Sequence, residues 1–297
     1  MKNKANNIFL GVDIGATKTI FLLAEISGAK YKVLKSTKTP TPKKEKEILK
    51  MVEENFKILS LKNKISAVGI GFAGLVDFER GRALMGPNLK TGKIEFKKVL
   101  EKKLKVPIAI DNDAKCFVLA ESIFGAAKGY KNIVGLTIGT GIGGGIIIDG
   151  KIYRGATGSA GEFGHTEILK GKELEEAASG SGLVNIYKKI SGKRLSSFEI
   201  VNLAKNKDKK ALEAVNFCGE SLGSGIANII ESFNPEIIVL GGGLSEVDLI
   251  IDKAKEYAKK KVFLPSLVKT PIVVSKLGQN AVALGAAWMA SLKQNKV

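Results

Sequence analysis

A glycine-rich turn near the middle of the chain has the residue types needed to bind a phosphate. Within Gly135–Thr166, an apolar strand leads into Gly139-Thr140-Gly141 and Gly143-Gly144-Gly145, and a second apolar strand follows. Glycine lets a backbone approach a ligand closely, and successive free N–H groups form an anion-binding concavity. Because glycines also shape hairpins that bind nothing, this turn alone leaves both interpretations open.

The same pattern occurs near the start of the chain. Leu10–Thr19 also runs from an apolar strand into a threonine-containing turn, the apolar strand Ile20–Leu23 follows, and Ile14-Gly15 matches Ile138-Gly139. This repetition predicts a duplicated α/β module whose two turns grip the phosphates of a nucleotide. Neither turn fits a P-loop or a dinucleotide-binding fingerprint.

The triplet Asp111-Asn112-Asp113 is the candidate for catalysis. It lies between a predicted strand, 107–110, and a predicted helix, 114–126. A carboxylate near a helix N-terminus stays ionised, as a general base for a hydroxyl must. Asp and Asn are also common helix caps, and the triplet alone favours the cap.

Alternating strands and helices must position these groups. Strand 65–72 is predicted to end in a loop that contains Gly74, and ligands bind at such carboxyl ends in open α/β sheets. Asn88 lies in a second loop and serves either a sugar or its own turn. The predicted strand 237–240 ends in Gly241-Gly242-Gly243, which admits either a flat purine or a close helix–strand contact. The other predicted elements are strands 31–36 and 272–275 and helices 44–59, 95–105, 211–233, 248–261 and 281–292, with a helical region from Ser179-Gly180-Ser181-Gly182 to about residue 210.

Composition limits the class of protein. A chain of 297 residues with 44% hydrophobic residues is long and apolar enough for two packed domains. The net charge of +18 comes almost wholly from lysine, with arginine only at 80, 82, 154 and 194. Arginine and interleaved aromatic residues are typical of nucleic-acid binding, so we expect instead a lysine-coated enzyme that attracts anionic substrates. Neither a signal peptide nor a membrane span is predicted, and Cys116 and Cys218 suggest buried thiols in the cytoplasm.

Taken together, these motifs resemble those of the ROK family of sugar kinases and repressors, within the actin-like ATPase superfamily. The resemblance covers essentially the whole chain and rests on GVDIGATKT, TIGTGIGGGI, NPEIIVLGGG, DNDAKCFVLAE and GSAGEFGH. It implies an actin-like ATPase (ribonuclease H-like) fold with two α/β domains and a cleft between them. The N-terminal domain would comprise residues 1–113 and the closing helix at about 281–297, and the larger C-terminal domain residues 114–280.

The resemblance also implies an activity and a set of site residues. Asp113 would be the general base in the ATP-dependent phosphorylation of a hexose hydroxyl, with the 6-OH of glucose preferred. The residues implied to hold the sugar are Gly74, Asn88, Asn112, Asp113, Glu162, His165 and Glu175. The residues implied to hold ATP are Asp13, Gly15, Thr17, Lys18, Gly139, Thr140, Gly141, Gly143, Gly241, Gly242 and Gly243. Mg²⁺ would be carried with ATP and placed near Asp13.

One segment departs from the family pattern. Many members carry a cysteine-rich zinc motif after the signature histidine, whereas this chain has Ile168–Leu174, without cysteine or histidine. Zinc sites require such ligands, so no structural zinc is expected, and sugar specificity cannot be carried over by analogy.

The alternatives to a glucose kinase are kinases for N-acetylglucosamine, N-acetylmannosamine or fructose, a polyphosphate-using kinase, and a sugar-responsive regulator. Repressors of the family carry a helix-turn-helix module ahead of the kinase-like part. The regulator ranks low because only a few polar residues precede the first strand here. The sequence alone does not give the oligomeric state, but a homodimer is common among the proteins it resembles. No nucleic-acid or membrane partner is expected.

Overall fold

The computed structural model describes residues 7–86, 93–169 and 171–294. Contacts divide the chain into two compact units. The first comprises Met1–Gly129, Ile152–Ala160 and Leu277–Val297, and the second comprises Tyr130–Lys151 and Gly161–Lys276. The two-domain division after residue 113 stays a prediction, because grouping by contacts does not test independent folding.

The first unit is built on a five-stranded sheet. The strands of this sheet are β1 (Ile8–Ile14), β2 (Lys18–Ser27), β3 (Lys30–Pro40), β4 (Ala67–Phe72) and β7 (Ile108–Asn112), and a separate hairpin is formed by β5 (Leu75–Asp77) and β6 (Arg82–Met85). The helices of this unit are α1 (Glu45–Ser60), α2 (Phe96–Leu104), α3 (Asp113–Phe124) and the last helix of the chain, α9 (Ala281–Gln294). The sheet order is β3-β2-β1-β4-β7, with β1, β4 and β7 parallel to one another.

The second unit is built on a similar sheet. The strands of this half are β8 (Ile133–Ile138), β9 (Ile142–Ile148), β10 (Lys151–Tyr153), the hairpin strands β11 (Glu167–Leu169) and β12 (Lys172–Glu173), β13 (Ile237–Gly241) and β14 (Ile272–Val274). Its helices are α4 (Leu174–Ala178), α5 (Gly180–Ser191), α6 (Ser197–Lys205), α7 (Lys209–Phe233) and α8 (Asp248–Lys261). The sheet order β10-β9-β8-β13-β14 repeats the third-second-first-fourth-fifth order of the first sheet. The two sheets therefore have the same topology, as expected for the duplicated α/β module that the two glycine turns predicted.

The first sheet is covered on both faces, as the alternation along β1 shows. Leu10 and Val12 pack in the cluster that includes residues of α1 and α2. Phe9 packs on the other face with Ala283 and Ala287 of α9. Side chains of a strand alternate between faces, so β1 contributes to both apolar layers and is buried almost throughout.

Helix α9 lies directly on the strands because glycines occupy the contact positions. A Cβ on Gly11 would lie 1.8 Å from the Ala283 carbonyl oxygen, and one on Gly69 would lie 1.8 Å from that of Ala286. Any larger residue would push the helix away from the sheet. The sequence predicted the helix but not this contact.

Local chain geometry corrects the predicted elements in three places. Strand β3 extends to Pro40, beyond the predicted end at Ser36, because it pairs with β2 along its whole length. The helical region after Ser179 is broken between α5 and α6, since Gly192 ends α5 in a left-handed conformation and a Ser196–Glu199 capping box begins α6. The β5–β6 hairpin was not predicted. Among the helices of the described ranges, none is long and apolar enough to cross a membrane.

Candidate functional site

The parallel strands of the first sheet bring three predicted site segments to one edge. Asp13 pairs with Gly71, and Gly71 pairs with Asp111, so β1, β4 and β7 end at the same level. The residues that follow these ends include Gly15, Gly74 and Asp113. This edge is where open α/β sheets bind ligands.

Asn112, not Asp113, caps helix α3. Its Oδ1 accepts a hydrogen bond from the Lys115 N–H at 3.2 Å, and its Nδ2 donates to the Gly74 carbonyl oxygen at 3.1 Å. Gly74 has φ +137°, and a Cβ there would lie 2.2 Å from the Met85 carbonyl oxygen, so only glycine fits. Asp113 is the first residue of the helix, is half-buried, and accepts the Ala114 N–H at 2.8 Å.

Asp13 and Asp113 interact electrostatically. Burial, followed by the negative charge of Asp113, raises the pKa of Asp13 to about 7, while Lys18 opposes the shift. Burial, followed by the charges of Asp111, Asp113 and Asp13, raises the pKa of the nearby Cys116 thiol. The first unit therefore concentrates three carboxylates at this edge of the sheet.

Asp111 is bound by Arg154, which the sequence analysis did not identify as a site residue. Asp111 is buried, and its Oδ2 accepts hydrogen bonds from Nε and Nη2 of Arg154 at 2.9 and 2.8 Å. The guanidinium of Arg154 lies 3.6 Å from the centre of the Phe78 ring. Lys115 is also buried, and its Nζ has no hydrogen-bond partner within the described ranges.

The first glycine turn is a tight hairpin between β1 and β2. The Gly15 N–H donates to the Lys18 carbonyl oxygen at 3.1 Å. The side chains of Thr17 and Lys18 are exposed at its tip. An ammonium group at such a turn suits an anionic ligand.

The second glycine turn, between β8 and β9, is held by the start of helix α5. The Gly180 N–H donates to the Gly139 carbonyl oxygen at 2.8 Å, and the Ser181 N–H to that of Thr140 at 3.2 Å. The Gly139 N–H donates to the Gly141 carbonyl oxygen at 2.9 Å. Thr140 remains exposed, and a Cβ on Gly139 would meet nothing within 4 Å.

The triglycine lies beside this second turn. Gly241 ends β13, and a Cβ on Gly242 would lie 2.5 Å from the Ile138 carbonyl oxygen at the end of β8. The close contact is thus with a neighbouring strand rather than with a helix. A Cβ on Gly243 would meet nothing within 4 Å, so the backbone there is accessible to a flat ligand.

The signature segment of the second unit forms a short 3₁₀ turn, Phe163–His165, preceded by the exposed Glu162. The Nδ1 of His165 lies 2.9 Å from Oε2 of Glu173, which was not among the predicted site residues. Its hydrogen bond to Glu173 is the main reason that the pKa of His165 is raised, with smaller effects from Glu175 and Glu162.

Glu175 contacts the second glycine turn. Its Oε2 accepts the Ile142 N–H at 2.7 Å, and a Cβ on Gly141 would lie 2.3 Å from the same oxygen. The structure therefore brings this predicted sugar ligand against a predicted phosphate-binding turn. Gly143 lies within β9, directly after the turn.

The segment that replaces the zinc motif folds as the β11–β12 hairpin. Oε1 of Glu167 accepts the Gly171 N–H at 2.8 Å, and the Leu174 N–H donates to the Thr166 carbonyl oxygen at 2.9 Å. No group of three or more His, Cys, Asp or Glu side chains in the described part of the chain is arranged to hold a metal ion. The absence of structural zinc stays a prediction.

Asn88 lies outside the described residues. Arg154 was missed although the sequence contains a signal for it, since it is one of only four arginines in a lysine-rich chain. Arginine is the residue suited to a two-donor bond with a carboxylate.

Comparisons with known proteins agree with this architecture. The xylose repressor of Caldicellulosiruptor bescii is 30% identical over 97% of this chain and 79% of its own length. The glucokinase of Streptomyces coelicolor is 30% identical over 95% of this chain and 96% of its own. A solved ROK family glucokinase from Streptomyces griseus, in complex with glucose and AMPPNP, is 27% identical, with a TM-score of 0.85, over 96% of this chain and 99% of its own.

These similarities confirm the predicted α/β fold class, the actin-like ATPase fold found in the ROK kinases. The family profile described as "ROK family" matches residues 9–293. The chain therefore belongs to the ROK family, whose members include sugar kinases and repressors.

Proposed function

We propose that this protein phosphorylates a hexose with ATP, that glucose is the preferred substrate and its 6-OH the acceptor, and that Asp113 is the general base. The observation that carries the proposal is the meeting of Asp13, Asp113 and Lys18 at the carboxyl edge of the first sheet. The similarity to glucokinases, one of them in complex with glucose and AMPPNP, supports the choice of substrates.

Asp113 has the surroundings that a base requires. It is the first residue of α3, where the helix dipole attracts negative charge, and it accepts the Ala114 N–H at 2.8 Å. Because Asn112 provides the cap, the second carboxylate oxygen of Asp113 is not required for that role. An ionised, half-buried carboxylate can accept the proton that a sugar hydroxyl loses during phosphoryl transfer.

Polar side chains would hold the sugar, because a pyranose both donates and accepts hydrogen bonds. In the first unit these are Asn112 and the Gly74 loop, with Asn88 proposed by resemblance alone. In the second unit they are Glu162, His165 and Glu175. His165 is held by Glu173 through Nδ1, and its other ring nitrogen would contact the sugar.

The glycine turns would hold ATP. In the first unit the proposed residues are Gly15, Thr17 and Lys18, and in the second they are Gly139, Thr140, Gly141, Gly143, Gly241, Gly242 and Gly243. The fit of Mg²⁺ rests on Asp13, whose carboxylate is desolvated beside a second carboxylate, since this cation is bound by one or two carboxylates and by substrate phosphates. When bound, Mg²⁺ neutralises phosphate charge.

A coupled assay of ADP formation across a hexose panel tests the proposal. The panel holds glucose, fructose, N-acetylglucosamine and N-acetylmannosamine, with ATP or polyphosphate as the donor and the Asp113→Asn variant as the blank. We expect ATP with glucose to have the highest kcat/KM. A preference for another sugar or for polyphosphate would replace the substrate, and sugar binding without turnover would indicate a regulator.

A further inference from the structure

We propose that Arg154 is a positioning residue for Asp113 and acts through Asp111. The inference rests on the proposed function, in which Asp113 is the general base. Both Arg154 and the triplet Asp111-Asn112-Asp113 belong to the first unit.

The pair between Arg154 and Asp111 has a geometry that requires the planar guanidinium group of arginine. Two nitrogens of the Arg154 guanidinium donate to a single carboxylate oxygen of Asp111. The guanidinium also stacks on Phe78, with its central carbon 3.6 Å from the centre of the ring. Lysine can donate to a carboxylate but cannot supply a planar fork that also stacks on a ring. The chain, whose basic residues are almost all lysine, has one of its four arginines at this position.

Arg154 is the main group that favours the ionised form of Asp111. The side chain of Asp111 is 6% exposed and that of Arg154 is 28% exposed. Burial raises the pKa of Asp111, and the charge of Arg154 is the strongest opposing influence, followed by the hydrogen bond from the Asn112 N–H and, last, by the charge of Lys115. Removing one member of a buried ion pair leaves an uncompensated charge, so without Arg154 the carboxyl group must take up a proton or move.

A short chain of hydrogen bonds connects Asp111 to the base. Oδ1 of Asp111 accepts the Asn112 N–H at 2.9 Å, and the Asn112 side chain bonds both the start of α3 and the Gly74 carbonyl oxygen. Through Asp111, Arg154 therefore orients the peptide group between residues 111 and 112, one residue before Asp113. A shift of about 1 Å in a reacting group can cost about 10²-fold in rate.

The test compares Arg154→Met and Arg154→Lys in the wild-type and Asp113→Asn backgrounds, with kcat and KM measured separately. We expect Arg154→Met to lower kcat by about 10- to 100-fold with KM for the sugar changed less than about threefold, and Arg154→Lys to recover part of the loss. In the Asp113→Asn background, Arg154→Met should have almost no further effect, because the base it positions is already absent. Wild-type kcat in Arg154→Met, or an equal loss in both backgrounds, would overturn the inference.

Controls separate this inference from loss of folding and from the proposed function. Arg82→Met removes another partly buried arginine, paired with Asp77 at 3.1 Å, and should keep wild-type kcat. If Arg154→Met fails to fold, Asp111→Asn/Arg154→Met removes the buried charge together with its partner and should show the same loss of kcat; normal kcat would contradict the inference.

Hydrogen exchange provides a readout that needs no activity. Exchange of the backbone amides at 112–115 should rise in Arg154→Met and not in Arg82→Met, and unchanged exchange would count against the inference. An inactive wild-type protein with this exchange pattern would overturn the proposed function but leave the positioning role of Arg154 supported.

Discussion

The charge of Asp113 raises the pKa of Asp13, although the two residues lie 100 positions apart in the sequence and on different elements, β1 and the start of α3. Two carboxylates in such proximity disfavour each other's ionisation. Lys18 offsets part of this cost from the tip of the first glycine turn. A bound cation would offset more of it, which is the physical basis for proposing that nucleotide-bound Mg²⁺ lies near Asp13.

Replacing Asp113 by Asn should lower kcat by about 10²–10⁴-fold, because general-base assistance is typically worth this factor. Sugar binding, measured by calorimetry, should be preserved, since the amide keeps the shape of the carboxylate. Asp248→Asn is the matched control, because Asp248 is also the first residue of a helix, α8, but is exposed. Near-normal turnover in Asp113→Asn would remove this residue from the role of base.

Replacing Asp13 by Asn should change how stability depends on pH. The pKa of Asp13 is about 7 in the folded chain against 3.8 as the ordinary value, so the folded state binds this proton more tightly. The contribution of Asp13 to the free energy of unfolding therefore falls as pH rises from about 4 to about 7 and is constant above. Urea unfolding between pH 5 and 8 should show Asp13→Asn gaining roughly 1–4 kcal/mol relative to wild type across this range. A constant difference would show that Asp13 titrates normally.

Replacing Glu173 by Gln should lower the pKa of His165. The Glu173 carboxylate raises that pKa above the ordinary 6.5, so the pair stabilises the fold fully below pH 6.5, and this contribution is lost as pH rises through the raised pKa. His165 is the only histidine in the sequence, and a proton NMR titration of its ring therefore reports this site alone. Glu167→Gln, in the same hairpin, is the control. An identical midpoint in wild type and Glu173→Gln would exclude the pairing in solution.

Alanine at two positions of the second glycine turn should give different results. A Cβ on Gly139 enters open space, whereas one on Gly141 would lie 2.3 Å from Oε2 of Glu175. Gly139→Ala should leave Tm unchanged but raise KM for ATP by roughly 3- to 30-fold, because the methyl group occupies space proposed for phosphate. Gly141→Ala should lower Tm and kcat by displacing Glu175. Unchanged KM for ATP in Gly139→Ala would remove Gly139 from the proposed phosphate site.

Gly69→Ala should destabilise the protein by about 3 kcal/mol or more, a large cost for overpacking. The added Cβ would lie 1.8 Å from the Ala286 carbonyl oxygen, which is backbone and cannot rotate away. Urea unfolding at pH 7 measures the loss, with Gly243→Ala as the control because its Cβ would meet nothing within 4 Å. Equal stability of Gly69→Ala and wild type would mean that α9 does not lie on β4 in solution.

The sequence by itself determined the elements whose signals are local. Helix α8 has its predicted bounds, Asp248–Lys261, because the apolar spacing and the flanking residues lie within the helix and next to it. The repeated strand–turn–strand pattern likewise predicted two similar modules, and the sheets share one order. Several motifs at their spacing were enough to indicate the family, since each motif is a short continuous segment.

Only the tertiary structure decided which side chains meet. Arg154 and Asp111 are 43 residues apart, and no local spacing predicts their hydrogen bonds. Gly69 and Gly11 are unremarkable strand residues until α9 lies on them. The division of roles between the Asn112 cap and the neighbouring Asp113 also depended on how β7 delivers the chain into α3. Such contacts follow from the packing of distant segments, and periodicity along the chain carries no information about that packing.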